Sequence, residues 1–202
     1  AFASGREEFG LRAVLTATVD DRATHQGLVV ERRDSGRKGL DDLRGTVFAF
    51  ADPQSASVYQ FVATALRERT TNAEGFFRRS IFTYSHDNTV QAVRDGIADA
   101  GAVDSLIWDQ LVREQPTIHD KLVIVDRSAD FPSNTIVVSP HASKELAGEL
   151  GRALAAMPLD PAGREALKDL GITGFVKLPE AAYDSIVQSW RELGTLPRSP
   201  AP

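Results

Sequence analysis

There is no cysteine among the 202 residues of this sequence. Disulfides, thiolate nucleophiles and cysteine-ligated zinc are therefore excluded. The redox compartment stays open, because the absence suits a reducing cytoplasm and an oxidising periplasm alike. A basic excess is missing too: 23 lysines and arginines stand against 28 aspartates and glutamates, for a formal charge of −5. Nucleic acid and anionic membrane surfaces normally demand the opposite balance, and the isolated pairs Arg32-Arg33 and Arg78-Arg79 read as solvated faces. No uninterrupted apolar run approaches the roughly 20 residues of a membrane span. Residues 1–10 do not form a basic-then-apolar leader, so the expectation is a soluble chain whose export signal was removed or never present. No repeat of fixed period occurs, and there is no G-x-S-x-G elbow, H-E-x-x-H or P-loop. His119 and His141 stand alone, without metal-ligand spacing.

What the chain does contain is an ordinary globular balance, 42% apolar and 25% charged, enough for one sizeable domain or two small lobes. Short β-rich runs alternate with helical patterns. Leu11–Thr18, Leu28–Arg32, Val47–Phe50, Ser80–Tyr84, Ala98–Val103, Leu122–Val125 and Thr135–Val138 read as strands, and Leu40–Gly45 as a turn or short helix. Val58, Phe61, Val62, Ala65 and Leu66 recur at helical spacing and define one apolar face. Ser85–Asn88 reads as a polar turn before a short helix carrying Val90, Val93 and Ile97 and ending at Gly96; Asp104-Ser105 opens another through Trp108 and Leu111. From Ser143 three helices are expected, with apolar stripes at Leu146, Leu150 and Leu154, at Leu167 and Leu170, and at Tyr183, Ile186, Trp190 and Leu193, before a proline-rich end at Pro197–Pro202. Such alternation predicts an α/β architecture with mostly parallel strands.

In open α/β sheets ligands sit beyond the carboxyl ends of the strands, where helix starts present amide hydrogens without intrahelical acceptors. Three turns fit that position: Ser55-Ala56-Ser57 within "DPQSASVY", Ser85-His86-Asp87, and Asp104-Ser105. A helix start carries about half a positive charge, and serine hydroxyls add donors, so a phosphate-like group could bind there without lysine or arginine. Taken singly, each turn reads more simply as local structure: the serines and Asp104 as helix caps, His86 as a local structural histidine. Their recurrence on successive strand ends favours an anion site.

The segments "DLRGTVFAFADPQSAS", "YSHDNTVQAVRDGIADAGAVDS" and "FPSNTIVVS", with "DPAGREALKDLGITGFV" further on, resemble the periplasmic substrate-binding proteins of phosphate/phosphite/phosphonate ABC transporters. The resemblance spans nearly the whole chain. It implies a two-lobed type II periplasmic-binding-protein fold that closes on its ligand in an interlobe cleft. Residues 26–133 would form the second lobe, and residues 1–25 and 134–202 the first. It also implies a small phosphorus oxyanion as ligand, a membrane permease as partner, no cofactor or metal, no nucleic acid, and no direct membrane insertion. The location implied is the periplasm, or the cell surface as a lipoprotein. Carried over by motif, Ser55, Ala56, Ser57 and His86 would hold the ligand oxygens and Asp104 would line the site. A carboxylate accepts only from a protonated oxygen or an ammonium, so Asp104 would prefer a monoprotonated oxyanion, which a charged His86 would complement.

Four departures from the family pattern bear on the ligand and the lobes. Ala56 stands where a threonine is common, losing a hydroxyl but keeping the amide. His25 stands where an aromatic residue is usual. Asn134 stands where binders of aminoalkylphosphonates tend to place an acid, which points to phosphite, phosphate or an alkylphosphonate without an amine. The chain opens inside the family's first lobe, about a quarter of the fold being absent, so that lobe is expected to be incomplete. A sensory or interaction module of the same fold is the alternative function. An enzyme acting on phosphorylated substrates through His86 with Asp87 or Asp104 is the weaker one, since adjacent side chains at positions 86 and 87 diverge rather than pair.

Overall fold

The structure, a computed structural model, describes residues 2–53 and 55–193; Ala1, Gln54 and the proline-rich end lie outside the described residues, as do the side chains of Ala3, Ser4, Ala56, Ser57 and Trp190. Contacts group the chain into two compact units. One comprises Ala1–His25 and Phe131–Arg191; the other comprises Gln26–Asp130, to which Glu192 and Leu193 at the end of the last helix also belong.

The first unit begins with α1 (Phe2–Phe9), β1 (Arg12–Thr18) and β2 (Thr24–His25). The second contains β3 (Gly27–Arg32), single 3-10 turns at Arg33–Ser35 and Leu40–Leu43, β4 (Val47–Phe50), and a π-helical turn Ala56–Gln60 running into α2 (Phe61–Glu68). It continues with α3 (Ala73–Phe76), β5 (Arg79–Phe82), α4 (His86–Arg94), β6 (Ala100–Asp104), α5 (Ser105–Glu114), α6 (Ile118–Lys121) and β7 (Leu122–Arg127). The chain then rejoins the first unit with β8 (Phe131–Pro132), β9 (Thr135–Val138), α7 (Lys144–Ala156), α8 (Pro161–Asp169), β10 (Gly174–Val176) and α9 (Asp184–Leu193).

In the second unit five strands form one sheet in the order β5-β4-β6-β3-β7. Strand β4 pairs in parallel with β5 and with β6, whereas β3 pairs antiparallel with both β6 and β7. The expectation of mostly parallel strands is thereby corrected to a mixed sheet, and the reason is local. Parallel strands need a crossover, usually a helix, to carry the chain back to its starting edge. Helices α2 and α3, α4, and α5 with α6 make those returns. The link from β3 to β4 contains only two short 3-10 turns, so β3 alone runs in reverse and makes two antiparallel pairs where it inserts.

Pleating sorts the apolar residues onto two faces. Val29, Phe48, Phe50, Ala100 and Ala102 join Val58, Val62, Leu66, Phe76 and Phe77 in one buried cluster. Leu28, Val30, Ala49 and Val103 join Val90, Val93, Trp108, Leu111 and Leu122 in the other. Both faces of the sheet are therefore covered.

The first unit has an antiparallel sheet ordered β10-β1-β9 and a short pair of β2 with β8. Helix α7 packs on β1 and β10. Thr16, fully buried on β1, lies 2.6 Å from the Tyr183 hydroxyl. Several expected apolar stripes are not buried. Leu146 is exposed, because α7 turns Gly151 towards β1, where an added Cβ would lie 3.4 Å from Val14. Leu170 falls beyond the end of α8 and Ile97 beyond the end of α4, and both are exposed. Gly96, at φ +75°, stops α4 before Ile97 is reached.

Candidate functional site

Since β5, β4 and β6 run parallel, their carboxyl ends lie along one edge of the second unit's sheet, and each is followed there by a helix start. After β4, the half-buried Ser55 donates its amide to the Asp52 carbonyl at 3.3 Å, and its own carbonyl accepts from the amides of Tyr59 and Gln60, each at 3.1 Å. That fork widens the first turn to π geometry over Ala56–Gln60, a form that recurs at functional sites. Tyr59 within it is 9% exposed. Burial, with the Glu74 carboxylate adding to it, raises its phenol above the ordinary value, so the hydroxyl stays protonated.

After β5, Thr83 anchors the turn. Its amide donates to the Phe50 carbonyl at 2.9 Å; its hydroxyl lies 2.9 Å from the Ser85 carbonyl and 2.6 Å from the Thr89 hydroxyl. Asn88 donates to the Thr83 carbonyl. The expected polar turn Ser85–Asn88 is in fact the N-cap and first turn of α4. Ser85 adopts extended backbone at the N-cap, yet its side chain makes no capping hydrogen bond.

His86 heads α4, and its Nδ1 accepts from the backbone amide of Asp104 at 3.2 Å. This bond seats the imidazole between the start of α4 and the end of β6. Asp104, at the end of β6, caps α5: its Oδ1 accepts from the Leu106 amide at 2.8 Å.

The structure thus sets Ser55, the turn beginning at Ala56, His86 and Asp104 on one sheet edge. His25 and Asn134 belong to the other unit. His25 sits on β2 opposite Phe131, with ring centroids 6.2 Å apart; Asn134 is exposed and its carbonyl accepts from the Ala17 amide at 2.8 Å. Sequence reading missed the hydroxyl pair Thr83 and Thr89, whose signal is two threonines spaced to flank a polar helix start. Replacing Thr83 by valine is expected to lower stability by about 1 kcal/mol, read by urea denaturation, since it removes the hydroxyl that ties β5 to α4. An unchanged midpoint would show that the hydroxyl does not anchor this turn.

Among the described residues no group of three or more metal-ligating side chains could hold an ion, and no helix is long and apolar enough to cross a membrane. Comparison with solved structures finds the same fold repeatedly. A Xanthomonas citri protein bound to ATP is 23% identical, with 91% of this chain and 72% of that one covered at a TM-score of 0.79. A Prochlorococcus marinus protein in complex with methylphosphonate is 17% identical over 95% and 75% of the two chains, TM-score 0.77. A binding-protein component of an ABC phosphonate transporter from Pseudomonas aeruginosa is 19% identical over 89% and 60%, TM-score 0.71. The family described as the phosphonate ABC transporter's periplasmic substrate-binding protein matches residues 1–183. The chain therefore belongs to the periplasmic substrate-binding proteins of phosphonate ABC transporters, a family of solute binders and not of enzymes.

Proposed function

We propose that the chain binds a small phosphorus oxyanion (a phosphonate, phosphite or phosphate) along the carboxyl edge of β5, β4 and β6 and passes it to the membrane permease of an ABC importer. Interlobe placement of the ligand and a periplasmic or lipoprotein location belong to the same proposal. The observation that carries it is the bond between His86 Nδ1 and the Asp104 amide. It ties the start of α4, after β5, to the end of β6, and so draws the ends of two parallel strands together around the imidazole.

In this reading the amides of the Ala56 turn and of α4 receive the oxyanion, supported by the half-positive helix ends. The hydroxyls of Ser55 and Ser57 and the imidazole of His86 add donors, and Asp104 accepts from a protonated ligand oxygen. His25 and Asn134 stay as proposed contacts on the strength of the family resemblance alone. A neutral amide at Asn134 offers an ammonium no opposite charge, which favours phosphite, phosphate or a simple alkylphosphonate over an aminoalkylphosphonate. Methylphosphonate in the Prochlorococcus marinus complex is consistent with that class.

Titration calorimetry against phosphite, phosphate, methylphosphonate and 2-aminoethylphosphonate tests the proposal. Saturable heat is expected with at least one of the first three and weaker binding of the last. Absence of heat with all four overturns it. The double variant Ser55→Ala/Ser57→Ala is expected to lose about 2 kcal/mol of affinity, as hydroxyl donors to a charged ligand would.

A further inference from the structure

Tyr84 stands between β5 and α4 with φ +57°. A bulky side chain in the left-handed region is uncommon and strained, and such residues gather at functional sites. Both flanks hold it there. On one side Thr83 is bonded to the Phe50 carbonyl, the Ser85 carbonyl and Thr89. On the other, Ser85 is the extended N-cap of α4. Glycine would meet this conformation without strain, yet the position carries a large aromatic ring.

That ring belongs to a row. Phe77, Phe48 and Phe50 lie with successive centroids 4.4 and 4.8 Å apart, Phe82 follows at 5.7 Å from Phe50, and Tyr84 lies 6.5 Å from Phe82. Phe48, Phe50 and Phe77 are buried in the core, while Tyr84 is 65% exposed. It is also two residues from His86, so the two Cα atoms are within about 7 Å of each other.

We propose that Tyr84 is a specificity-determining residue of the oxyanion site, its exposed ring stacking against an aromatic substituent carried on the phosphorus. The inference rests on the reading of His86 and its neighbouring helix starts as the oxyanion site. The preferred ligand class is then an arylphosphonate, whose charged end takes the amide and imidazole donors and whose ring covers Tyr84. Inorganic phosphite and methylphosphonate fill only the first half of this arrangement.

Calorimetry with phosphite, methylphosphonate and phenylphosphonate on the parent chain and on Tyr84→Phe and Tyr84→Gly tests this. The parent and Tyr84→Phe are expected to bind phenylphosphonate roughly five- to tenfold more tightly than methylphosphonate, the range an aromatic pair supplies. Tyr84→Gly is expected to lose that preference, and a urea midpoint no lower than the parent's shows the variant to be folded. Binding of methylphosphonate without a preference for phenylphosphonate in the parent overturns the role of Tyr84 and leaves the oxyanion site standing. An equal loss for all three ligands in Tyr84→Gly overturns it as well. Failure of all three to bind the parent removes the site and this inference together.

Discussion

Replacing Arg37 by alanine is expected to lower stability by about 3 kcal/mol, because it strands a buried carboxylate. Glu31, on β3, is 0% exposed. One of its oxygens accepts from the Ser35 hydroxyl at 2.5 Å, and the other lies 3.5 Å from Arg37 Nη1. The same guanidinium stands 3.8 Å from Asp99, whose second oxygen accepts the Val47 amide at 2.8 Å. One cation therefore serves two carboxylates, one inside β3 and one just before β6 that is bonded to the first amide of β4. Removing a partner from a buried ion pair typically costs about 3–5 kcal/mol, most of it the penalty for an uncompensated charge. The arginine side chain is 28% exposed, so water can reach the vacated position, and the lower end of that range applies.

A companion variant separates charge from packing. Glu31→Gln/Arg37→Ala keeps an acceptor for Ser35 but has no charge to strand, so the double variant should be more stable than Arg37→Ala alone. Urea denaturation of the two single variants and the double closes the cycle. A loss below about 1 kcal/mol in Arg37→Ala, or a double variant no better than the single, would show that the pair is not what holds this corner.

Legibility in the sequence followed how local each determinant is. Strand β4 could be read residue by residue, because Val47–Phe50 is a short apolar run with turn signals on both sides. Asp104 could be read as a helix cap, since an aspartate at a strand end needs only the amide two residues ahead, and Leu106 supplies it. The direction of β3 was less accessible. Its partners β6 and β7 lie far along the chain, and the one local hint was a link to β4 too poor in helix to be a crossover. The bond between His86 and Asp104 spans 18 positions and exists only because β5 and β6 both pair with β4 in parallel. The strain at Tyr84 left no trace, because a left-handed position without glycine or asparagine looks like any other residue. In α7 the apolar stripe was present, but three small gaps of sequence cannot say which face a helix turns inwards; Gly151 against Val14 decided it.

Gly101 is where fold and site meet, and Gly101→Val is expected to damage both. A Cβ at this position of β6 would lie 2.6 Å from Thr89 Cγ2, 3.1 Å from the Ala49 carbonyl oxygen and 3.2 Å from Val93 Cγ2. None of the three can give way cheaply. Ala49 contributes backbone from the neighbouring strand. Val93 and Thr89 are fully buried on α4, and turning Thr89 to free its methyl would break its hydroxyl from Thr83 at 2.6 Å and from the Ser85 carbonyl at 3.1 Å. The helix must therefore lift from the sheet, and overpacking of this kind costs about 1–3 kcal/mol. Valine adds two methyls beyond the Cβ, so about 3 kcal/mol is expected, with Gly101→Ala losing roughly half of that. Because His86 heads α4, lifting the helix also lengthens the 3.2 Å bond from the Asp104 amide, which frees the ring to turn. At a temperature where Gly101→Val remains folded, its affinity for methylphosphonate should fall at least tenfold, the effect of one misplaced donor to a charged group. Urea denaturation with calorimetry on the folded protein checks both parts. Stability within 1 kcal/mol of the parent would refute the packing step; unchanged affinity in a destabilised variant would refute the dependence of the oxyanion site on the seat of α4.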